Sequence, residues 1–226
     1  MSDGSAYRFA ESVPINPIEQ GSSVLVAGPA LSRTEGLARS LVADGTEFGE
    51  GGLYISTNKT CKKLLHACRA THPSLDTAGL GIIDCSGQDI GHIPADIQVK
   101  YVSTQSDLTG IGIKFSALYE SLYAAAAGGR VRTGLISLSS LAMYVDLRTL
   151  FQFVQTLSGR IDSADGLGVF TIDPTTHDTK AVNALSQTVD GRIEVRKPAE
   201  SDADGELRVR GLANQPGGWQ PFSLPS

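Results

Sequence analysis

Five short apolar runs, each followed by a longer stretch with helical spacing, constrain this 226-residue chain more than any other feature. The runs are SVLVAG (Ser23–Gly28), GLYIST (Gly52–Thr57), LGIIDC (Leu80–Cys85), TGLISLSS (Thr133–Ser140) and GLGVFTID (Gly166–Asp173). Strands that are nearly unbroken in Val, Ile and Leu must be covered on both faces, which predicts a parallel sheet with right-handed helical crossovers. VKYVST (Val99–Thr104) adds a short extended segment. Helices are predicted over Thr34–Ala43, Lys59–Ala70, Leu147–Leu157 and Asp178–Leu185. A longer one is capped by Ser106 or Asp107, carries Leu108, Ile111, Phe115, Leu118 and Leu122 as its apolar stripe, and ends at Gly128–Gly129.

Two late segments break the pattern. In DGRIEVRK (Asp190–Lys197) and ELRVRGL (Glu206–Leu212) apolar and charged residues alternate, so one face is wet and antiparallel edge strands are expected. The link Ser201–Gly205 has turn composition. The predicted fold is therefore α/β: a mostly parallel, helix-flanked sheet with antiparallel strands at its C-terminal edge. Residues 1–21 form a polar arm, 22–197 the core, and 198–226 a last strand and tail around Trp219 and Phe222.

Charge narrows the partners. A net charge of -5 argues against a surface built throughout for nucleic acid, although Arg192, Arg208 and Arg210 gather on the late strands with Arg196 and Lys197. There they are a basic surface for nucleic acid or an acidic partner, or a solvated ribbon face that discourages edge pairing; Glu194 and Glu206, interleaved with them, favour the second. Cys61, Cys68 and Cys85 are too few and too odd for a disulfide framework and lack metal-ligand spacing, so buried thiols and no metal site are expected. With no run near the ~20 apolar residues of a membrane span and no signal-like N-terminus, the chain is expected to be cytoplasmic.

The chemistry concentrates in Val24–Val42, where a strand runs into Gly28-Pro29, a short polar loop and an amphipathic helix. That is the setting of a P-loop, in which GxxxxGK[ST] wraps phosphates in backbone N–H groups, brings a Lys to them and holds Mg²⁺ on a hydroxyl. Counted from Gly28, the last three positions fall on Arg33, Thr34 and Glu35, so the second Gly, the Lys and the hydroxyl are all replaced. A register slipped by one sets Arg33 for the Lys and Thr34 for the hydroxyl, at the cost of a loop one residue short. Gly28, Pro29, Ser32, Arg33 and Thr34 are the candidate phosphate contacts, because a helix N-terminus attracts anions without a Lys; a plain strand-to-helix turn with no ligand explains the same residues equally well.

Taken with GGLYISTNK (Gly51–Lys59), GLISLSSLAMYVD (Gly134–Asp146), STQSDLTGIGIKFSALYESL (Ser103–Leu122) and ADGLGVFTIDPTTHD (Ala164–Asp178), this loop resembles RecA/KaiC-like domains. It is most similar to an archaeal family of KaiC-related proteins of mostly unassigned role, over about Ser22–Val195. The resemblance implies a glutamate pair after the second strand to activate water and an Asp ending the fourth strand to organise Mg²⁺. This chain has Asn58 and Lys59 at the first place and Ile136, followed by Ser137, at the second. Asn cannot take a proton, Lys has the wrong charge and Ile coordinates nothing.

Elsewhere, Asp173–Asp178 reads as a helix cap in preference to an acid/base or sensor pair of His177 and Asp178. Ser137, Ser139 and Ser140 lack a GxSxG setting and a His–Asp partnership by spacing. The expectation is a pseudo-ATPase without required cofactor, acting as a regulatory or protein-interaction module that pairs with a protein partner or itself. A sensor binding ATP or ADP weakly through the degenerate loop, and a DNA-associated regulator, are the alternatives.

Overall fold

The computed structural model describes residues 6–73, 75–87, 93–198 and 202–224. Nine strands form one sheet. In chain order its members are β3 (Ser23–Ala27), β4 (Gly51–Ser56), β5 (Leu80–Asp84), β6 (Gln98–Tyr101), β7 (Val131–Ile136), β8 (Leu167–Ile172), β9 (Gly191–Arg196), β10 (Gly205–Arg210) and β11 (Gln220–Phe222). Across the sheet they lie in the order β11-β10-β9-β3-β8-β7-β4-β5-β6. Every pairing from β9 to β6 is parallel; β9–β10 and β10–β11 are antiparallel. The predicted fold class holds, with one correction: β9 is antiparallel to β10 but parallel to β3 on its inner side, and its alternating pattern reflects one wet face.

The unbroken runs are central strands with every residue buried. One face is covered by α1 (Thr34–Glu47) and α2 (Cys61–Thr71), the other by α3 (Leu108–Ala125), α5 (Leu147–Asp162) and α6 (Thr179–Ser186). Caps set several starts: Thr60, Asp107, Asp146 and Asp178 each accept a first-turn N–H. The expected strand Thr133–Ser140 is shorter at its end. After Ile136, Ser137 turns with φ 79° and caps the four-residue helix α4 (Leu138–Leu141), because its hydroxyl competes for the backbone the ladder would have used. In the link Ser201–Gly205, Ser201 lies outside the described residues.

The polar arm has order of its own. Its β1 (Ala6–Tyr7) and β2 (Ile18–Glu19) pair as a two-stranded sheet, and Tyr7, Val13, Ile15 and Ile18 join the core on the α1 side. Arg132 of β7 lies wholly buried beneath it, in space that a Cβ on Gly45 would fill. Its guanidinium donates to Glu50 Oε2 (2.5 Å), Leu41 O (2.8 Å) and Arg8 O (2.7 Å), while Arg130 donates to Ala6 O and sits 4.3 Å over the Tyr7 ring. Burial, with Glu50 adding to it, pushes the Tyr7 phenol up to about 12. Cys61, Cys68 and Cys85 are buried free thiols, and burial raises Cys68 to about 11. No helix among the described residues is long and apolar enough to cross a membrane.

Candidate functional site

β3 feeds α1 on one face of the sheet, and its neighbour β8 leads to α6 on the other, so a crevice opens between their carboxyl ends. Ligands of open α/β sheets settle at such a switch point. Here it is a cleft of about 710 Å³, lined by the Gly28–Gly36 segment except Ser32, by Arg39 and Lys59, and opposite them by Ser137, Ser139 and Thr171–Asp173. That volume is ordinary for a small-molecule pocket.

The loop folds tightly over Gly28. A Cβ there would lie 2.7 Å from Val195 O and 2.9 Å from Ser32 Oγ, and it would collide with Thr34 Oγ1. Gly28→Ala is expected to cost about 1–3 kcal/mol, as overpacking against an immovable carbonyl does, measured by urea denaturation. Ser32 Oγ donates to Pro29 O (2.7 Å) and meets Thr34 Oγ1 at 2.8 Å, which closes the loop on itself. Arg33 precedes the helix at φ 65°, a left-handed conformation in which glycine is unstrained. It thus occupies the place of the second Gly, and α1 begins at Thr34, where the unslipped register puts the missing Lys. The Arg33 side chain turns outward, 60% exposed, to pair with Asp204 at 2.9 Å.

Glu35 stands at the hydroxyl position, and Asn58 and Lys59 meet it there. Asn58 Nδ2 donates to Glu35 Oε1 at 2.7 Å, and Lys59 Nζ is bonded to Oε2. Arg39 Nη1 lies 3.9 Å from the same oxygen, and its buried Nε has no hydrogen-bond partner among the described residues. The replacements in the first strand-helix loop and after the second strand thus form one cluster, joined across 23 and 24 residues of sequence.

Ile136 has no part in it. Its side chain is fully buried in the core on the α1 side, and the group that emerges at the cleft is Ser137. Thr57 Oγ1 donates to Ile136 O (2.7 Å) and to Ser137 O (2.9 Å), while Ser137 N–H donates to Thr171 Oγ1. These bonds knit the ends of β4, β7 and β8 with neutral groups.

Two contacts made by the far wall escape sequence reasoning. Asp173 accepts the Ala30 N–H at 3.0 Å, so a carboxylate of the far wall already holds one loop amide. It also caps the three-residue turn that follows by accepting Thr175 N–H, whereas the next helix, α6, is capped by Asp178. His177 is half-buried, and its Nε2 lies 2.9 Å from Ser139 Oγ. Their separation of 38 positions leaves no local signal for that pairing.

The three late arginines converge. Arg192 (3.7 Å), Arg208 and Arg210 (3.3 Å) all face Glu194, and Arg196 pairs with Glu206 at 2.6 Å. Burial pushes the Glu194 carboxyl up, but the surrounding arginines outweigh it and hold it below its ordinary value. Trp219 lies between Arg196 and Arg208, 4.2 and 4.6 Å from their Cζ atoms.

Residues 21–195 match the model of DUF7504, a family of unknown function. The chain belongs to this family. No curated protein matches it. The DUF7504 fold of this chain is similar to the crystal structure of a KaiC-like protein from the hyperthermophilic archaeon Pyrococcus horikoshii OT3 (TM-score 0.69, 14% identity). The likeness spans 97% of this chain and 93% of that one, so the KaiC-like, RecA-type architecture includes the arm and the C-terminal strands of this DUF7504 member.

Proposed function

We propose that this chain is a pseudo-ATPase, a KaiC-like domain that does not hydrolyse nucleotide and serves as a regulatory or protein-interaction module. The observation that carries this is the Glu35–Asn58–Lys59 cluster. Phosphoryl transfer on this architecture needs a metal ion beside the phosphates and a group that orients the attacking water. The hydroxyl that would hold the metal is a carboxylate bonded to an amide and an ammonium, and neither Asn58 nor Lys59 can take a proton from water at neutral pH. The residues present do not fit a nucleotide-bound Mg²⁺: Thr34 Oγ1 is engaged by Ser32, and Ile136 offers no ligand.

Purified protein with ATP and Mg²⁺ is expected to release phosphate no faster than buffer. A steady release that disappears on changing Arg33 or Glu35 to Ala overturns the proposal. The partner is a protein or a second copy of the chain in the cytoplasm, tested by native mass measurement of the complex purified from cells. One observation favours a second reading, a sensor that still binds ATP or ADP: the cleft remains open at the N-terminus of α1, which lacks a side-chain cap. DNA association has less support, since Arg192, Arg208 and Arg210 share one carboxylate.

A further inference from the structure

We infer that the outer face of the C-terminal strands, built from Arg192, Arg196, Arg208 and Arg210 beside Trp219, docks an acidic protein segment. This rests on the reading of the chain as a protein-interaction module and names the surface and the chemistry of its partner. β9 and β10 turn Ile193, Val195 and Leu207 into the core and leave their charged residues on the opposite face. That face carries four guanidinium groups against the carboxylates of Glu194 and Glu206, in a chain of net charge -5.

Two observations separate it from a solvated ribbon. Charges that discourage edge pairing belong on an edge, but Arg192 is paired on both sides, with Leu25 of β3 and Arg210 of β10. That register also sets two arginines directly opposite each other, which works against pairing. One carboxylate, Glu194, faces both of them and Arg208 as well. Each guanidinium carries five N–H donors, more in sum than one carboxylate can accept, so the face is complete only with further acceptors. The half-buried Trp219 ring packs on Arg196 and Arg208 and holds their planes in place. Tryptophan and arginine are the residue types that carry most energy at protein interfaces.

Carboxylates on a short segment suit this face better than a nucleic acid does. Arg208 and Arg210 stand two residues apart on one strand, about 7 Å, the spacing of alternate side chains on an extended acidic segment. Planar guanidinium forks take carboxylates through paired bonds. Screening limits the field of the patch to about 10 Å at 0.1 M salt. A short segment stays within that reach, whereas a nucleic acid strand runs on over a surface whose remaining charge is more negative than that of the whole chain.

Trp219 is the single tryptophan of the chain, so its fluorescence reads the site directly. Titrating the full chain with a deca-glutamate peptide is expected to give a saturable change, with affinity falling at least ten-fold from low to high salt. Arg210→Glu, at a side chain 56% exposed, is expected to weaken binding at least ten-fold, with its fold checked by circular dichroism. Arg196→Gln, 48% exposed, takes its place if that variant does not fold. Equal affinity for wild type and a folded variant overturns the role of the arginines. Tighter binding of decathymidylate than of deca-glutamate overturns the protein segment in favour of nucleic acid. No saturable change with the peptide overturns the docking surface, and it does so alone if native mass measurement still returns a protein complex; the absence of a complex as well overturns the module reading with it.

Discussion

Arg132→Ala is expected to lose about 3–5 kcal/mol of folding stability, the range for removing one partner of a buried ion pair. The cause is not charge alone. The guanidinium bonds a carboxylate and two backbone carbonyls at once and packs 5.3 Å from the Tyr7 ring and 5.2 Å from the Phe9 ring, so its removal opens a cavity under the arm and strips acceptors of their donor. Urea denaturation should show the loss as a fall in midpoint at a nearly constant slope. Arg132→Lys is expected to recover little, because a single ammonium cannot reproduce the fork that reaches Glu50, Leu41 and Arg8 together. A midpoint unchanged by Arg132→Ala would show that the arm does not depend on this side chain.

Asp44→Ala ranks next, at roughly 2–4 kcal/mol, since each buried donor left without an acceptor costs about 1–3 kcal/mol. Asp44 accepts the Ala10 N–H at 3.0 Å and meets His72 Nε2 at 2.8 Å, with Ser40 Oγ at 3.5 Å from both. It thereby ties the arm, α1 and the end of α2 at one buried point. Asp44→Asn should cost nearer 1 kcal/mol, about one neutral hydrogen bond. The amide oxygen can still accept from Ala10, and its NH₂ can donate to Nε2 once the imidazole proton moves to Nδ1, beside Thr71 Oγ1 at 3.0 Å. The contrast between the two variants separates hydrogen bonding from charge. Limited proteolysis should cut the arm faster in Asp44→Ala than in Asp44→Asn.

Both sites lie at the end of the molecule that secures the arm, while the pseudo-ATPase proposal depends on the loop after β3. Substitutions in the two places are expected to act independently, because no residue is shared between the Arg132 and Asp44 contacts and the Glu35 cluster.

The sheet was legible because a strand buried on both faces has no choice but to be apolar throughout: β3, β4, β5, β7 and β8 each announce themselves in five or six residues. The loop after β3 was legible as well, since the spacing from Gly28 to Thr34 is local and a strand-to-helix turn has few forms. Glu35 and Asn58 stood out in the sequence one at a time, and Ile136 did so only as a position in a strand. Strand order, however, is a property of which faces find each other, and alternation alone could not say that β9 runs parallel to β3. The same holds for the arm, whose polar residues give no hint that Arg8 O caps a buried arginine 124 positions away. Nor could spacing bring Lys59 to Glu35 or His177 to Ser139, because side chains from separate crossovers meet only when the sheet sets their ends side by side. Local physics determined what each segment of this chain is; the Glu35–Asn58–Lys59 cluster exists only in the packed fold.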